Sequence, residues 1–317
     1  MGKIAFMFSG QGSQKPGMGL ALANAFPAAR QVFERADDLL GFALSDLCFH
    51  GPEETLRATE NAQPALYVTS IAALRCLEQT CARTPDAAAG HSVGEYAALT
   101  AAGVLAFDDG VTLVRKRGEL MRDAARRTPG AMSALLGIDA ESARLACTEA
   151  RAATGGTVSV ANYNGGGQIV ISGEADAVAK AGEIAKEKGA KRVMPLAVSG
   201  GFHSPLMVSA GDTLYEPLSR TPFRKPNYPV VSNVSARYIE MPDDVIGGLT
   251  MQVSRSVRWE ESMQLLLKDG VDTFIEFGSG DVLCGLMRRI DKSAKTASVQ
   301  DPASLEAACS LIQEAEA

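Results

Sequence analysis

The chain is short of histidine and tryptophan, of unbroken apolar sequence, and of positive charge. Three histidines and one tryptophan occur in 317 residues, so any chemistry that needs an imidazole can be traced by elimination. Lysine and arginine total 31 against 37 acidic residues, a formal net charge of −6. That balance argues against nonspecific nucleic-acid binding. The six cysteines (48, 76, 81, 147, 284 and 309) show no C-x-x-C and no Cys/His ligand spacing. We therefore expect no metal site, and buried thiols in a reducing cytoplasm. The longest apolar stretch, 64–74, falls well short of the ~20 residues a membrane span needs. It holds Thr69 and Ser70 and reads as a buried helix. The apolar run after Met1-Gly2-Lys3 is too short for a signal-peptide core. A cytoplasmic, monomeric protein with no membrane or nucleic-acid partner is expected.

What is present is the composition of a globular enzyme, 46% hydrophobic and 21% charged, long enough for two domains or one with an insertion. An apolar strand at 3–8 leads into helical segments to about 81, and a strand at 85–89 into a helix at 95–102. After residue 200 a helix at 206–220, strand 229–232, helix 259–268, strand 272–277 and helix 282–289 follow. Strand followed by helix, repeated, predicts a parallel sheet covered by helices. Residues 130–197 differ: strand 131–136, helix 140–152, strands 157–161 and 168–171, helix 175–188 and strand 191–196. That order, β-α-β-β-α-β, is the ferredoxin-like unit. The expected fold is α/β: a large, discontinuous domain (1–128 and 198–317) with an α/β-hydrolase-like core, and an inserted ferredoxin-like α+β subdomain (129–197).

Gly90-His91-Ser92-Val93-Gly94 sits between strand and helix and fits G-x-S-x-G, the nucleophile elbow. Glycines there permit a sharp turn that exposes the serine oxygen, and the N–H after the serine can face a developing oxyanion. Ser92-Val93-Gly94-Glu95 equally fits S-x-x-E, a capping box in which Ser92 merely closes a helix end. A nucleophilic serine needs a base, normally histidine. His91 is adjacent to Ser92, and neighbours on an extended strand point to opposite faces, so it should pack beneath the elbow. His50 lies in Cys48-Phe49-His50-Gly51-Pro52, a loop entering a helix, and reads as a surface residue. His203, in Gly200-Gly201-Phe202-His203-Ser204-Pro205 at the subdomain junction, is the candidate base. No acid lies near it in sequence, so a carbonyl or amide could orient the ring instead. A histidine base predicts acylation rising with pH through a group near ~6.5, or lower if the site is desolvated.

On the helix at 108–126, Leu113, Val114, Leu120 and Met121 share one arc at 100° per residue, and Arg117 falls in its middle. A guanidinium on a core-facing stripe needs a partner. It is either a structural ion pair or a fork presented to a substrate carboxylate.

Together these residues resemble the malonyl-CoA:acyl carrier protein transacylase family. The likeness runs through Gly10-Gln11-Gly12-Ser13-Gln14, Glu60-Asn61-Ala62-Gln63-Pro64-Ala65, Gly90–Tyr96 and Arg117-Gly118. It continues in Asn162-Tyr163-Asn164, the 167–173 stretch, Phe202-His203-Ser204-Pro205-Leu206-Met207 and Ser232-Asn233-Val234. The resemblance implies ping-pong transfer of a malonyl group from malonyl-CoA to the phosphopantetheine thiol of acyl carrier protein, with no cofactor. It implies Ser92 as nucleophile and His203 as base, with the N–H groups of Gln11 and Val93 as the oxyanion hole. Arg117 would bind the malonyl carboxylate, and the Gln252 backbone carbonyl would orient His203. Phe202 would crowd a 2-methyl branch, and Asn162 and Gln63 are further substrate-binding candidates. Gly278-Ser279-Gly280-Asp281 replaces a more usual Gly-Pro-Gly-Lys turn, and Gly200-Gly201 stands where one bulkier residue is common. The first change removes a lysine near the entrance. Lys188, Lys191, Arg192, Arg288 and Arg289 are the cations left for an acidic carrier. A serine thioesterase or hydrolase, a noncatalytic scaffold and an acyltransferase serving a polyketide synthase remain as alternatives.

Overall fold

The structure, a computed structural model, describes residues 2–316. Along the chain come β1 (Lys3–Phe8) and β2 (Ala87–Gly90), then β3 (Ala131–Leu136), β4 (Val158–Gly165), β5 (Gln168–Gly173) and β6 (Arg192–Pro195). β7 (Val230–Val231), β8 (Val271–Phe277) and β9 (Lys295–Val299) follow. One sheet has the order β7-β2-β1-β8-β9, and every pairing in it is parallel. Both faces carry helices, which is why β1 reads as a nearly continuous apolar run and why β8 is buried at every position but Asp272. β2 is Ala-Ala-Ala-Gly, all buried; its small side chains leave room for the helix that follows the elbow.

The second sheet, β4-β5-β3-β6, is antiparallel throughout, with helices Ala140–Thr154 and Ala175–Glu187 against it. This is the ferredoxin-like order expected above, and it encloses its own apolar cluster around Leu135, Ile138, Ile169 and Ile171. The helix Thr59–Cys81 is buried on nearly all sides beneath the large sheet. It packs along helix Phe107–Arg127, where Gly118 lets the two backbones close: a Cβ there would sit 2.7 Å from Glu60 Cα.

Three elements were not anticipated: helix Pro242–Gln252, strand β9 and helix Pro302–Glu316. Among the described residues no disulfide joins the cysteines; five are buried and Cys81 is half-buried. Among the described residues no helix is long and apolar enough to cross a membrane.

Candidate active site

β2 ends at Gly90, paired with Phe8 at the carboxyl edge of β1. His91 N–H still donates to Phe8 O at 3.0 Å, and then the chain turns. The turning residue is Ser92 itself, at φ +54°, in left-handed backbone that costs a non-glycine residue about 1–2 kcal/mol. Gly90 and Gly94 do not have positive φ, contrary to the expectation that they supply the sharp turn. They are required by proximity instead. A Cβ on Gly90 would lie 1.9 Å from Gly94 O, and one on Gly94 would lie 2.1 Å from Phe8 O. Gly94→Ala is therefore expected to lower stability by roughly 3 kcal/mol, because overpacking outweighs the helix-propensity gain. A urea midpoint equal to that of the parent would show that the elbow and β1 are not in this contact.

The capping reading of Ser92 fails. Helix Gly94–Ala101 has Val93 at its N-cap and no side-chain cap. Glu95 turns away from Ser92, its Oε2 accepting from Asn233 N at 3.1 Å and Gln252 Nε2 at 2.6 Å. Ser92 Oγ lies 2.7 Å from His203 Nε2. Nδ1 of the same ring is 2.7 Å from Gln252 O and 3.2 Å from Arg255 O. Carbonyls only accept, so Nδ1 carries the proton and Nε2 is left to accept from the serine hydroxyl. The ring is oriented by backbone carbonyls, with no acid in the third position. Burial, and then the Arg117 charge, pull His203 down to about 3, only partly countered by the Gln252 carbonyl. That places its titration far below the ordinary ~6.5.

Arg117 is buried within helix Phe107–Arg127. Nη1 donates to Gln63 Oε1 at 2.5 Å, while Nη2 donates to Gln252 Oε1 at 2.9 Å and to Ser92 Oγ at 3.1 Å. Its guanidinium lies 5.8 Å from the centre of the Tyr96 ring, and Nε is buried without a partner. Among the described residues none of its hydrogen bonds goes to a carboxylate. Of the two readings above, the structural ion pair is thus the one the geometry does not show. The hydrogen-bonded link from Glu95 to Arg117 runs through the Gln252 amide. Burial raises that carboxyl to about 7 against the opposing pull of the Asn233 and Gln252 hydrogen bonds and the Arg117 charge.

Gln11 joins this group indirectly: its Oε1 accepts from Thr59 Oγ1, which in turn accepts from Gln63 Nε2. The loop after β1 also presses on the elbow, since a Cβ on Gly10 would lie 2.5 Å from His91 O. Among the described residues the backbone N–H groups of Gln11 and Val93 donate to no protein acceptor. Hydrogen bonds thus unite Ser92, His203, Arg117, Gln63 and Gln252, with Gln11 tied on through Thr59. Phe202 and Asn162 are buried, Phe202 beside Gly200 and Asn162 bridging to Val257, but no hydrogen bond joins them to the set. His91 packs as expected, Nε2 on Asn164 Oδ1 at 2.9 Å and its ring beside Trp259. His50 is exposed but ends helix Leu44–His50 rather than lying in a loop, and pairs with Asp46. Asn233, buried in this site, has no role in the sequence reading, and Glu95 enters that reading only as the acid of the capping box. The sequence signals for Asn233 are its place in the Ser232-Asn233-Val234 motif of the resemblance and just past an apolar strand. Among the described residues no group of three His, Cys, Asp or Glu could hold a metal ion.

Residues 5–313 match the acyl transferase domain family. The malonyl CoA-acyl carrier protein transacylase of Bacillus subtilis (strain 168) is 48% identical over 314 residues, covering 99% of this chain and 98% of that protein. Its counterpart in Escherichia coli (strain K12) is 40% identical over 311 residues, covering 98% and 100%. A malonyl-transacylase solved in complex with its type II PKS acyl-carrier protein superposes with a TM-score of 0.94 at 42% identity, covering 98% and 99%. The acyl-carrier-protein S-malonyltransferase of Bartonella henselae gives 0.93 at 43% identity, covering 98% and 99%. The chain belongs to the acyl transferase family that includes the malonyl CoA-acyl carrier protein transacylases.

Proposed function

We propose that this protein moves a malonyl group from malonyl-CoA to the phosphopantetheine thiol of acyl carrier protein, as an [acyl-carrier-protein] S-malonyltransferase of fatty acid biosynthesis. The observation that carries the reading is a buried guanidinium bonded to amides and to the nucleophile, with no carboxylate on it. A site handling neutral acyl groups has no use for such a cation, whereas a malonyl group brings the missing carboxylate.

His203 Nε2 takes the proton of Ser92 Oγ as Oγ attacks the thioester carbonyl. The oxyanion rests on the N–H groups of Gln11 and Val93. Collapse breaks the C–S bond, and the coenzyme A thiolate leaves with the proton held by His203. In the second half the carrier thiol gives its proton to His203 and attacks the malonyl ester. Ser92 Oγ then departs and recovers the proton. Arg117 grips the free carboxylate throughout, and Gln63 and Gln252 hold its guanidinium in place. Phe202 and Asn162 shape the acyl pocket. No cofactor enters this sequence of steps. Residues 129–197 form the inserted subdomain, with 1–128 and 198–317 as the catalytic domain. The protein works in the cytoplasm as a monomer, and Lys188, Lys191, Arg192, Arg288 and Arg289 are the cations offered to the acidic carrier.

Incubation with malonyl-CoA followed by intact-mass measurement should show one malonyl adduct, mapped to Ser92 and discharged by an acyl carrier protein bearing phosphopantetheine. An adduct discharged equally fast by water alone would identify a thioesterase. No adduct at any time would leave a noncatalytic scaffold. The relative solved with a type II PKS carrier keeps a polyketide role in view. Loading rates on fatty-acid and polyketide carriers, compared side by side, decide between them.

A further inference from the structure

We propose that Asn233 is a positioning residue for the nucleophile, its side-chain amide locking the elbow so that Ser92 Oγ is aimed at His203. The inference rests on the reading of Ser92 as the acyl acceptor. Asn233 lies just past β7, 141 residues from Ser92 in sequence, and is wholly buried. Its Oδ1 accepts from Ser92 N–H at 2.8 Å, while its Nδ2 donates to Gly90 O at 2.7 Å. One planar amide therefore spans the elbow on both sides of His91.

The amide is itself anchored. Asn233 N–H donates to Glu95 Oε2 at 3.1 Å, and Asn233 O accepts from Arg258 N–H at 2.9 Å. From the other side Gln252 Nε2 donates to Ser92 O at 3.0 Å. Both backbone polar groups of Ser92 are thus claimed by side chains from distant segments. A left-handed residue other than glycine persists only where its surroundings over-determine it. Here that duty falls on Asn233, the one side chain bonded to the N–H of Ser92. Its chemistry fits the task, because an amide presents an acceptor and a donor at fixed spacing. Aspartate lacks the donor for Gly90 O and would set a second carboxylate near Glu95. Alanine supplies neither contact. Asn233 makes no hydrogen bond to Ser92 Oγ, His203 or Arg117. Its Oδ1 also accepts from Gln252 Nε2 at 3.3 Å, while Gln252 holds Arg117 and His203 through its Oε1 and its backbone carbonyl. Asn233 thus acts through the backbone of Ser92 and not on the substrate.

The test is single-turnover acylation by saturating malonyl-CoA, followed by intact mass, in the parent, Asn233→Ala, Asn233→Asp and Ser92→Ala proteins. In Asn233→Ala the rate constant should fall about 10²-fold, the loss expected when a nucleophile is misplaced by about an ångström. The half-saturating malonyl-CoA concentration and the pH profile should stay as in the parent, because Arg117 and His203 keep their partners. Asn233→Asp, which retains the acceptor for Ser92 N–H, should fall between the two, and it carries the test if Asn233→Ala does not fold. A merely structural role would shrink the fraction of molecules that acylate while leaving the rate constant of the rest unchanged, and that result overturns the proposal. If the parent itself forms no adduct, the acyl-transfer reading fails instead.

Discussion

His203→Ala is expected to slow acylation of Ser92 by about 10³-fold, within the range that a positioned general base supplies. The parent should show an unusual pH dependence. Only the neutral imidazole accepts the serine proton, so acylation rises as pH climbs through the folded-state pKa. Burial and the Arg117 charge hold that pKa at about 3. The rise is then complete by about pH 5, and kcat/KM for acylation is level from there to neutrality. A flat profile in this window is thus the expected behaviour of a histidine base in this setting. Such a profile does not count against histidine here, as it would for an exposed ring. A parent profile that still climbs through pH 6.5 would contradict the desolvated site. A His203→Ala protein with parental speed would remove the base altogether.

Arg117→Ala should produce the second large change. Malonyl loading is expected to fall by about 10²-fold, the scale of a lost charge-assisted contact to a buried carboxylate, while acetyl loading falls much less. Competition between malonyl-CoA and acetyl-CoA, read by intact mass, measures the ratio directly. Equal losses for the two donors would mean that Arg117 serves only Ser92 and Gln252. A second readout is independent of substrate choice. The Arg117 charge disfavours the imidazolium, so removing it should raise the His203 pKa and move the acid limb to higher pH. An acid limb that stays where it is in the parent would mean that the guanidinium does not act on that ring.

Much of this site was legible because the chain offers so few alternatives. With three histidines, two of them in poor positions, His203 followed by exclusion. Arg117 followed from helical phase, since one residue per 100° leaves no freedom about which side faces the core. The small sheet was legible from alternating strand and helix patterns bounded by glycine turns. Helix Trp259–Lys268 and strand β1 matched their expected bounds. What could not be read were partners supplied from far along the chain. The side chains of Asn233 and Gln252 meet around Ser92 only because β7 lies beside β2 in the sheet, a fact of topology. Their polar side chains carry no period that distinguishes a buried network from a solvated turn. The unanticipated elements have local causes. Helix Pro242–Gln252 contains Gly247 and Gly248, poor helix formers. β9 is an edge strand of half-buried polar and small residues with little apolar signal.

Ser92 and His203 share an unusual property: both sit at positive φ, +54° and +56°. A side chain branched at Cβ is nearly excluded from that region. The route by which a serine enzyme becomes a threonine enzyme, one added methyl group, is therefore closed at position 92. Cysteine, unbranched at Cβ, is still open to it. The backbone has thus set one limit on the side chain this position can adopt, independently of anything the substrate demands.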